Sequence, residues 1–272
     1  MRETPAGPLV YAGLVVISAL VLLPLGWTVL ASLTPEAQIA RFPPRVLPED
    51  ITFEHYREIR RQLPLARQFL NTLIFAGGVT LLSLLFDSMA AYALARLDFP
   101  GKRVVFGLVL ALLMIPPQVT LVPLYEIMSG LDWINTYHGL ILPRAASAFG
   151  IFFLRQFFLT IPRDLDDAAR IDGASHLRIY ARIVVPISAP AVLTLGLFHF
   201  MYNWNDLLWP LVFTTDPSMH TLPAGLALFM GKHVVQYGLL MAGAVLTLLP
   251  VVLAFVLVQR RFVEGIATTG IR

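Results

Sequence analysis

Six long apolar runs divide the chain, at about 9–31, 68–95, 104–125, 138–160, 188–212 and 237–258. Each reaches the ~20 residues that a helix needs to cross a hydrocarbon core about 30 Å thick. In lipid every backbone N–H and C=O must find a partner inside the protein. The expectation is therefore an all-α integral membrane protein with six transmembrane helices, read as one transmembrane domain over 1–272. Composition agrees: 57% of residues are hydrophobic and only 14% are charged, against roughly 25% in ordinary soluble domains. Mean hydropathy is +0.73. The first run is too long for the core of a signal peptide and reads as a retained anchor.

Several function classes fall away. The 272 residues include no cysteine, which removes disulfides, thiolate metal sites and a cysteine nucleophile. No cluster of His and carboxylates stands at metal spacing, so no metal site is expected. There is no G-x-x-x-x-G-K-[ST] loop to cradle ATP, and no H-E-x-x-H or Ser and Lys pair to suggest an intramembrane enzyme. No bound cofactor is expected, and no basic, aromatic-interleaved stretch points to nucleic acid. An ion-coupled secondary transporter would call for internal repeats and partnered midplane charges, and neither is evident.

Basic residues near short loops set the orientation. Arg96, Lys102 and Arg103 follow the second run, while Arg163, Arg170, Arg178 and Arg182 follow the fourth with Arg155 close by. The tail holds Arg260, Arg261 and Arg272, whereas loops 126–137 and 213–236 together hold only Lys232. This asymmetry places both termini and the 161–187 loop in the cytoplasm. The first loop, Ser32 to Arg67, is broken by Pro35, Pro43, Pro44, Pro48 and Pro64. It runs against the rule, with Arg41, Arg45, Arg57, Arg60, Arg61 and Arg67 on the outer side. Pro24 in the first run and Pro116-Pro117 in the third should kink their helices.

The 161–187 loop carries more pattern than a connection needs. Pro162 and the acids Asp164, Asp166 and Asp167 favour a helix start. Ala168, Ala169 and Ile171 are expected on one side, and Asp172-Gly173 should end the helix and turn the chain. A second short helix follows from His176 to about Ile183. On physical grounds this is either a docking surface or an amphipathic loop resting on the membrane.

The residues themselves resemble the cytoplasmic loop of permease subunits in bacterial binding-protein-dependent ABC importers. That pattern is E-A-A, three residues, G, nine residues, I, one residue, L-P. Ala168, Ala169, Gly173, Ile183 and Pro186 stand at its spacing, with Asp172 and Ala174 completing a D-G-A; Asp167 replaces the glutamate and Val185 the leucine. Asn71-Thr72-Leu73, Ala90 to Arg96, Met114-Ile115-Pro116, Trp204-Asn205-Asp206 and Arg261 to Gly265 resemble the carbohydrate-importer subgroup. The resemblance implies a type I ABC importer permease, the maltose-type (MalG-like) half of a sugar importer.

It also implies partners: two cytoplasmic ATPase subunits that bind the ATP, a second, MalF-like permease, and a periplasmic or lipid-anchored solute-binding protein. The setting would be the inner membrane of a bacterium or archaeon. The solute would be a mono- or oligosaccharide, although glycerol-3-phosphate and polyol importers share the motifs. By resemblance, 166–182 is a coupling helix seated on an ATPase, with Gly173 giving the turn, Ala168, Ala169 and Ala174 packing, and Asp167 and Asp172 capping or pairing.

Asn203, Trp204 and Asn205 in the fifth run are candidates to line a sugar's path, since amides bond hydroxyls and an indole stacks on a sugar face. Asp87 and Asp206 should face the bundle or water, paired or snorkelling, and His199 is expected to be packed or hydrogen-bonded. The outer loop, Thr214 to Gln236, is expected to meet the binding protein.

Overall fold

Apolar length without a break yields two helices that can each cross a membrane by length and composition: α1 (Pro8–Ser32) and, after the short α2 (Glu36–Ile39) and α3 (Glu54–Gln62), α4 (Leu65–Arg96). The computed structural model describes residues 7–39, 48–230 and 236–269, with side chains for all of these except 8, 254, 255 and 257–269. Arg41, Pro43, Pro44, Arg45, Lys232 and Arg272 lie outside the described residues, as do the side chains of residues 260–265. Helix α1 continues through Pro24, and the Thr28 hydroxyl donates to the Pro24 carbonyl at 2.9 Å. Its surface is lined with exposed Leu, Val and Ile, as a lipid-facing helix requires.

The third, fourth and fifth apolar runs are each broken rather than straight. The third consists of α5 (Lys102–Leu113), a 3-10 turn over Pro117–Thr120 and α6 (Leu121–Gly130), with a 95° bend between its halves. Pro116 and Pro117 lack the N–H groups that would have carried the helix across. The fourth consists of α7 (Tyr137–Ile141), a 3-10 turn Leu142–Arg144 and α8 (Ala148–Thr160), bent by 44°.

The fifth departs most from expectation. The loop helices α9 (Asp164–Ile171) and α10 (His176–Ile179) lead through a π turn, Tyr180–Val184, into α11 (Val185–Ile187). An 80° bend then opens α12 (Ala189–Trp204). The apolar run 188–212 is not one helix, because α12 stops at Trp204 and α13 (Leu208–Phe213) starts afresh. Asp206 forces the restart: its carboxylate accepts the Trp209 N–H at 3.1 Å, as a helix N-cap does. Helices α14 (Leu222–Met230) and α15 (Tyr237–Thr269) complete the chain, and no strand occurs among the described residues.

Contacts sort the chain into two compact units, residues 1–65 with 225–250 and residues 66–224 with 251–272. In the first, the Glu36 carboxylate accepts the N–H groups of Tyr237 and Gly238, each at 2.9 Å, and so caps α15 from a distant part of the chain. His55 packs against Gly238, where a Cβ would collide with its ring, and bonds the Thr34 carbonyl at 2.9 Å.

In the second unit α4 is the axis. Its Ala91, Tyr92 and Ala95 pack on Leu154 and Phe158 of α8, Ile179 and Val184 of the loop, and Leu195 of α12. Higher on α4, Phe75 and Val79 pack with Met128, Leu140, Trp209 and Phe213. Asp87 of α4, fully buried, accepts the Ser147 N–H at 2.7 Å and lies 3.2 Å from His199 Nε2 of α12. One carboxylate thus fixes the start of α8 and the middle of α12. Gly150, one turn into α8, leaves room for it, and any Cβ there would fall on the Asp87 carboxylate.

Gly150→Ala is expected to cost about 1–3 kcal/mol of stability, the usual range for overpacking. Gly107→Ala, on α5 with open space around it, is the control. The check is the melting temperature of the two purified variants in one detergent, where only the first should fall.

Candidate functional site

The short helices of the loop between α8 and α12 are bounded by local charges and hydrogen bonds. Three acids, Asp164, Asp166 and Asp167, sit in the first turn of α9 and complement the positive end of its dipole. At the other end Gly173 takes φ +77°, Gly173 N–H donates to Arg170 O and Ala174 N–H to Ala169 O, both at 2.9 Å. This is the Schellman arrangement, which needs a left-handed residue at the position that glycine occupies here. Ser175 then caps α10 by accepting the Arg178 N–H at 3.4 Å.

The caps settle which residues look inward. Ala169, Ala174 and Ile183 pack against the core formed by α4, α8 and α12. Asp167, Ala168, Asp172, Gly173 and Pro186 are exposed. The expectation that Ala168, Ala169 and Ile171 share one side therefore fails: successive helical residues lie about 100° apart, and Ala169 turns in while Ala168 and Ile171 turn out. Ile171 is 88% exposed and Leu177 66%. Asp167 lies 3.9 Å from Arg170, one turn on, and both are largely solvated, so this pair contributes little.

Asp166 was not among the site candidates that the sequence offered. Asp166 is buried and meets Arg96, the last residue of α4, at 3.4 Å. A cleft of about 400 Å³ opens beside this pair, lined by Asp98, Arg163, Asp167, Arg170 and His176 among others. The available signal was register: Asp166 stands three residues before Ala169, hence on the face that packs.

The fifth-run candidates divide. Asn203 and Trp204 are 2% and 1% exposed. Asn203 donates to the His199 carbonyl at 2.7 Å, and Trp204 packs edge-on to Phe69 with centroids 5.5 Å apart. Asn205 is exposed, as is Tyr202 three residues earlier on the same face. Asp206 pairs with Arg144, whose guanidinium stands 5.2 Å from the ring centroids of both Tyr202 and Trp209. Neither Arg144 nor Tyr202 was legible as a site residue, because nothing local marks a partner 62 positions away.

At the end of α4 away from Arg96, Asn71 donates to the Ser218 and His220 carbonyls at 2.8 and 2.9 Å, and Thr72 accepts the Leu222 N–H at 2.8 Å. Asn135, at φ +61°, accepts the N–H groups of Thr215 and Asp216. The Ser218 N–H donates to Asp216 at 2.8 Å and holds that carboxyl below the usual carboxylate range. The 214–221 loop is thus built to a fixed shape. Among the described residues no group of three or more His, Cys, Asp or Glu could hold a metal ion.

Comparison with known proteins places this geometry. Residues 88–267 match the family described as "Binding-protein-dependent transport system inner membrane component". The chain is 35% identical over 263 residues to the arabinooligosaccharides transport system permease protein AraQ of Halalkalibacterium halodurans, covering 96% of this chain and 94% of that one. It is 35% identical to the sn-glycerol-3-phosphate transport system permease protein UgpE of Brucella abortus, covering 92% of each. A crystal structure of a bacterial ABC transporter involved in the import of the acidic polysaccharide alginate shares the fold, with TM-score 0.82 at 23% identity over 96% of this chain and 98% of that one.

Breaking the Arg144–Asp206 pair from one side leaves a largely buried charge unpaired. Arg144→Met and Asp206→Leu are each expected to cost about 3–5 kcal/mol, and the double variant less than either single one. A double-mutant cycle on detergent melting temperatures reads this out.

Proposed function

Because the chain belongs to the family of binding-protein-dependent transport system inner membrane components, we propose that it forms one half of a carbohydrate's path across the membrane. Its 161–187 loop is then the element on which a cytoplasmic ATPase subunit docks. The observation that carries the docking role is the exposure of Ile171 and Leu177 on helices ended by a Schellman turn and a Ser175 cap. Apolar side chains held this far from their own core mark a contact surface. Asp167 and Asp172 flank Ile171 with solvated carboxylates able to pair with a partner's cations.

In this reading both termini lie in the cytoplasm, and two ATPase subunits supply the nucleotide site that this chain lacks. A second permease completes the pathway, and a binding protein delivers the solute to the outer face, where loop 214–221 has a fixed shape to offer. ATP-driven closure of the ATPase pair carries the loop as one body and tilts α8 and α12, which are continuous with it. The substrate class rests on relatives: one is described as transporting arabinooligosaccharides. A glycerol-3-phosphate solute is the second reading, favoured by the equal identity to a permease so described. For the path itself, Asn205 and Tyr202 suit contact with a sugar, whereas Asn203 and Trp204 serve the packing of α12.

The direct test is to tag the chain, extract it in mild detergent and identify what co-purifies at stoichiometric level. An ATPase, a second permease and ATP-dependent sugar uptake on reconstitution are expected; a chain that stays alone and drives ion-coupled uptake would overturn the proposal.

Gly173→Val places a β-branched residue in left-handed backbone, at a cost of roughly 1–2 kcal/mol or more. It is expected to lower uptake per ATP hydrolysed while leaving the chain in the membrane. Gly173→Asn, which tolerates that backbone, should keep most of the coupling. Uptake and phosphate release measured on the same proteoliposomes decide it.

A further inference from the structure

The loop is joined by the main chain to α8 and α12, and to α4 only through side chains and packing. The strongest of those links is the Arg96–Asp166 pair. Arg96 Nη1 reaches Asp166 Oδ2 at 3.4 Å, and its Nη2 donates to the Ile161 carbonyl at 2.7 Å. One guanidinium therefore grips both the first turn of α9 and the residue where the chain leaves α8. The side chains of Arg96 and Asp166 are 2% and 7% exposed. An ion pair so placed is costly to break from one side, because the remaining charge stays buried.

Arg96 Nε and Asp166 Oδ1 are buried with no hydrogen-bond partner. The cleft lies directly beside the pair. Nine positions back along α4, Asp87 holds Ser147 and His199, and between them Ser88 shares a 2.7 Å hydrogen bond with the Tyr180 hydroxyl.

We propose that Arg96 and Asp166 are positioning residues that make α4 follow the loop, so that ATP-driven movement reaches this span as well as α8 and α12. This rests on the docking role proposed above. It assigns to the pair a transmitting function separate from docking.

The chain has no cysteine, so a nitroxide on Leu81→Cys, an exposed position of α4, reports this span alone when the other subunits are cysteine-free variants. The complete importer, with its ATPase, second permease and binding protein, is studied in proteoliposomes with and without ATP and Mg²⁺. The labelled chain should show an ATP-dependent spectral change. Asp166→Asn and Arg96→Gln should make that change at least about fivefold smaller while ATPase recovery and basal hydrolysis persist. Arg96→Lys, which keeps a cation beside Asp166, should retain most of it.

A full spectral change in Asp166→Asn and Arg96→Gln, or none in the otherwise unaltered chain, overturns the proposal. So does loss of the ATPase subunit from either variant, which would make the pair part of docking. Ile171→Glu separates the two readings. If that variant binds the ATPase unchanged, the docking role of the loop fails, whatever the label reports.

Discussion

A carboxylate with no exposed surface, in a helix that must live in lipid, is tolerated only when other groups complete it. Asp87 meets that condition by taking the Ser147 N–H and the His199 ring, and the arrangement of α4, α8 and α12 follows. The fourth apolar run has to break before Ala148 so that a free N–H is offered, and Gly150 has to be a glycine so that the carboxylate fits. His199 must face α4, which in turn directs Phe198 and Tyr202 to the exposed side of α12. The apolar packing around Leu154, Phe158 and Leu195 is the larger share of the energy, but apolar contacts alone do not select one rotation of α12.

The breaks in the helices serve the same end. A straight span presents no free backbone groups, whereas each broken one exposes a short stretch that must be satisfied by side chains or buried against neighbours. Ser83 donates to the Arg144 carbonyl, Trp209 Nε1 to the Leu140 carbonyl, and Arg96 to that of Ile161. Two of these three side chains come from α4 and one from α13, so the long helix completes its interrupted neighbours.

What the sequence made legible was what depends on local chemistry. Apolar run length located α1 and α4, Pro116-Pro117 located the 95° bend, and Asp172-Gly173 located the turn at which Gly173 takes φ +77°. What it could not show depends on residues far apart in the chain. Asp166 and Asp167 are adjacent and chemically identical, yet one is buried against Arg96 and the other is solvated. The polarity of Asn203, Asn205 and Asp206 suggested a lined path; much of it serves to end α12 and begin α13. The Asn71-Thr72 pair was legible as a family mark before its use was: it ties down the 214–221 loop.

The cap that Glu36 places on α15 joins residues 201 positions apart. A ribosome adding about 5–20 residues per second takes roughly 10–40 s to cover that distance. For this interval the first loop has been made and its carboxylate has no helix to cap. The first unit cannot close until residues 225–250 have been made. The second unit, which carries the loop between α8 and α12, has nearly all of its chain available earlier. The stretch 66–224, with α4, α8 and α12, is thus complete before the segment that Glu36 caps has been made.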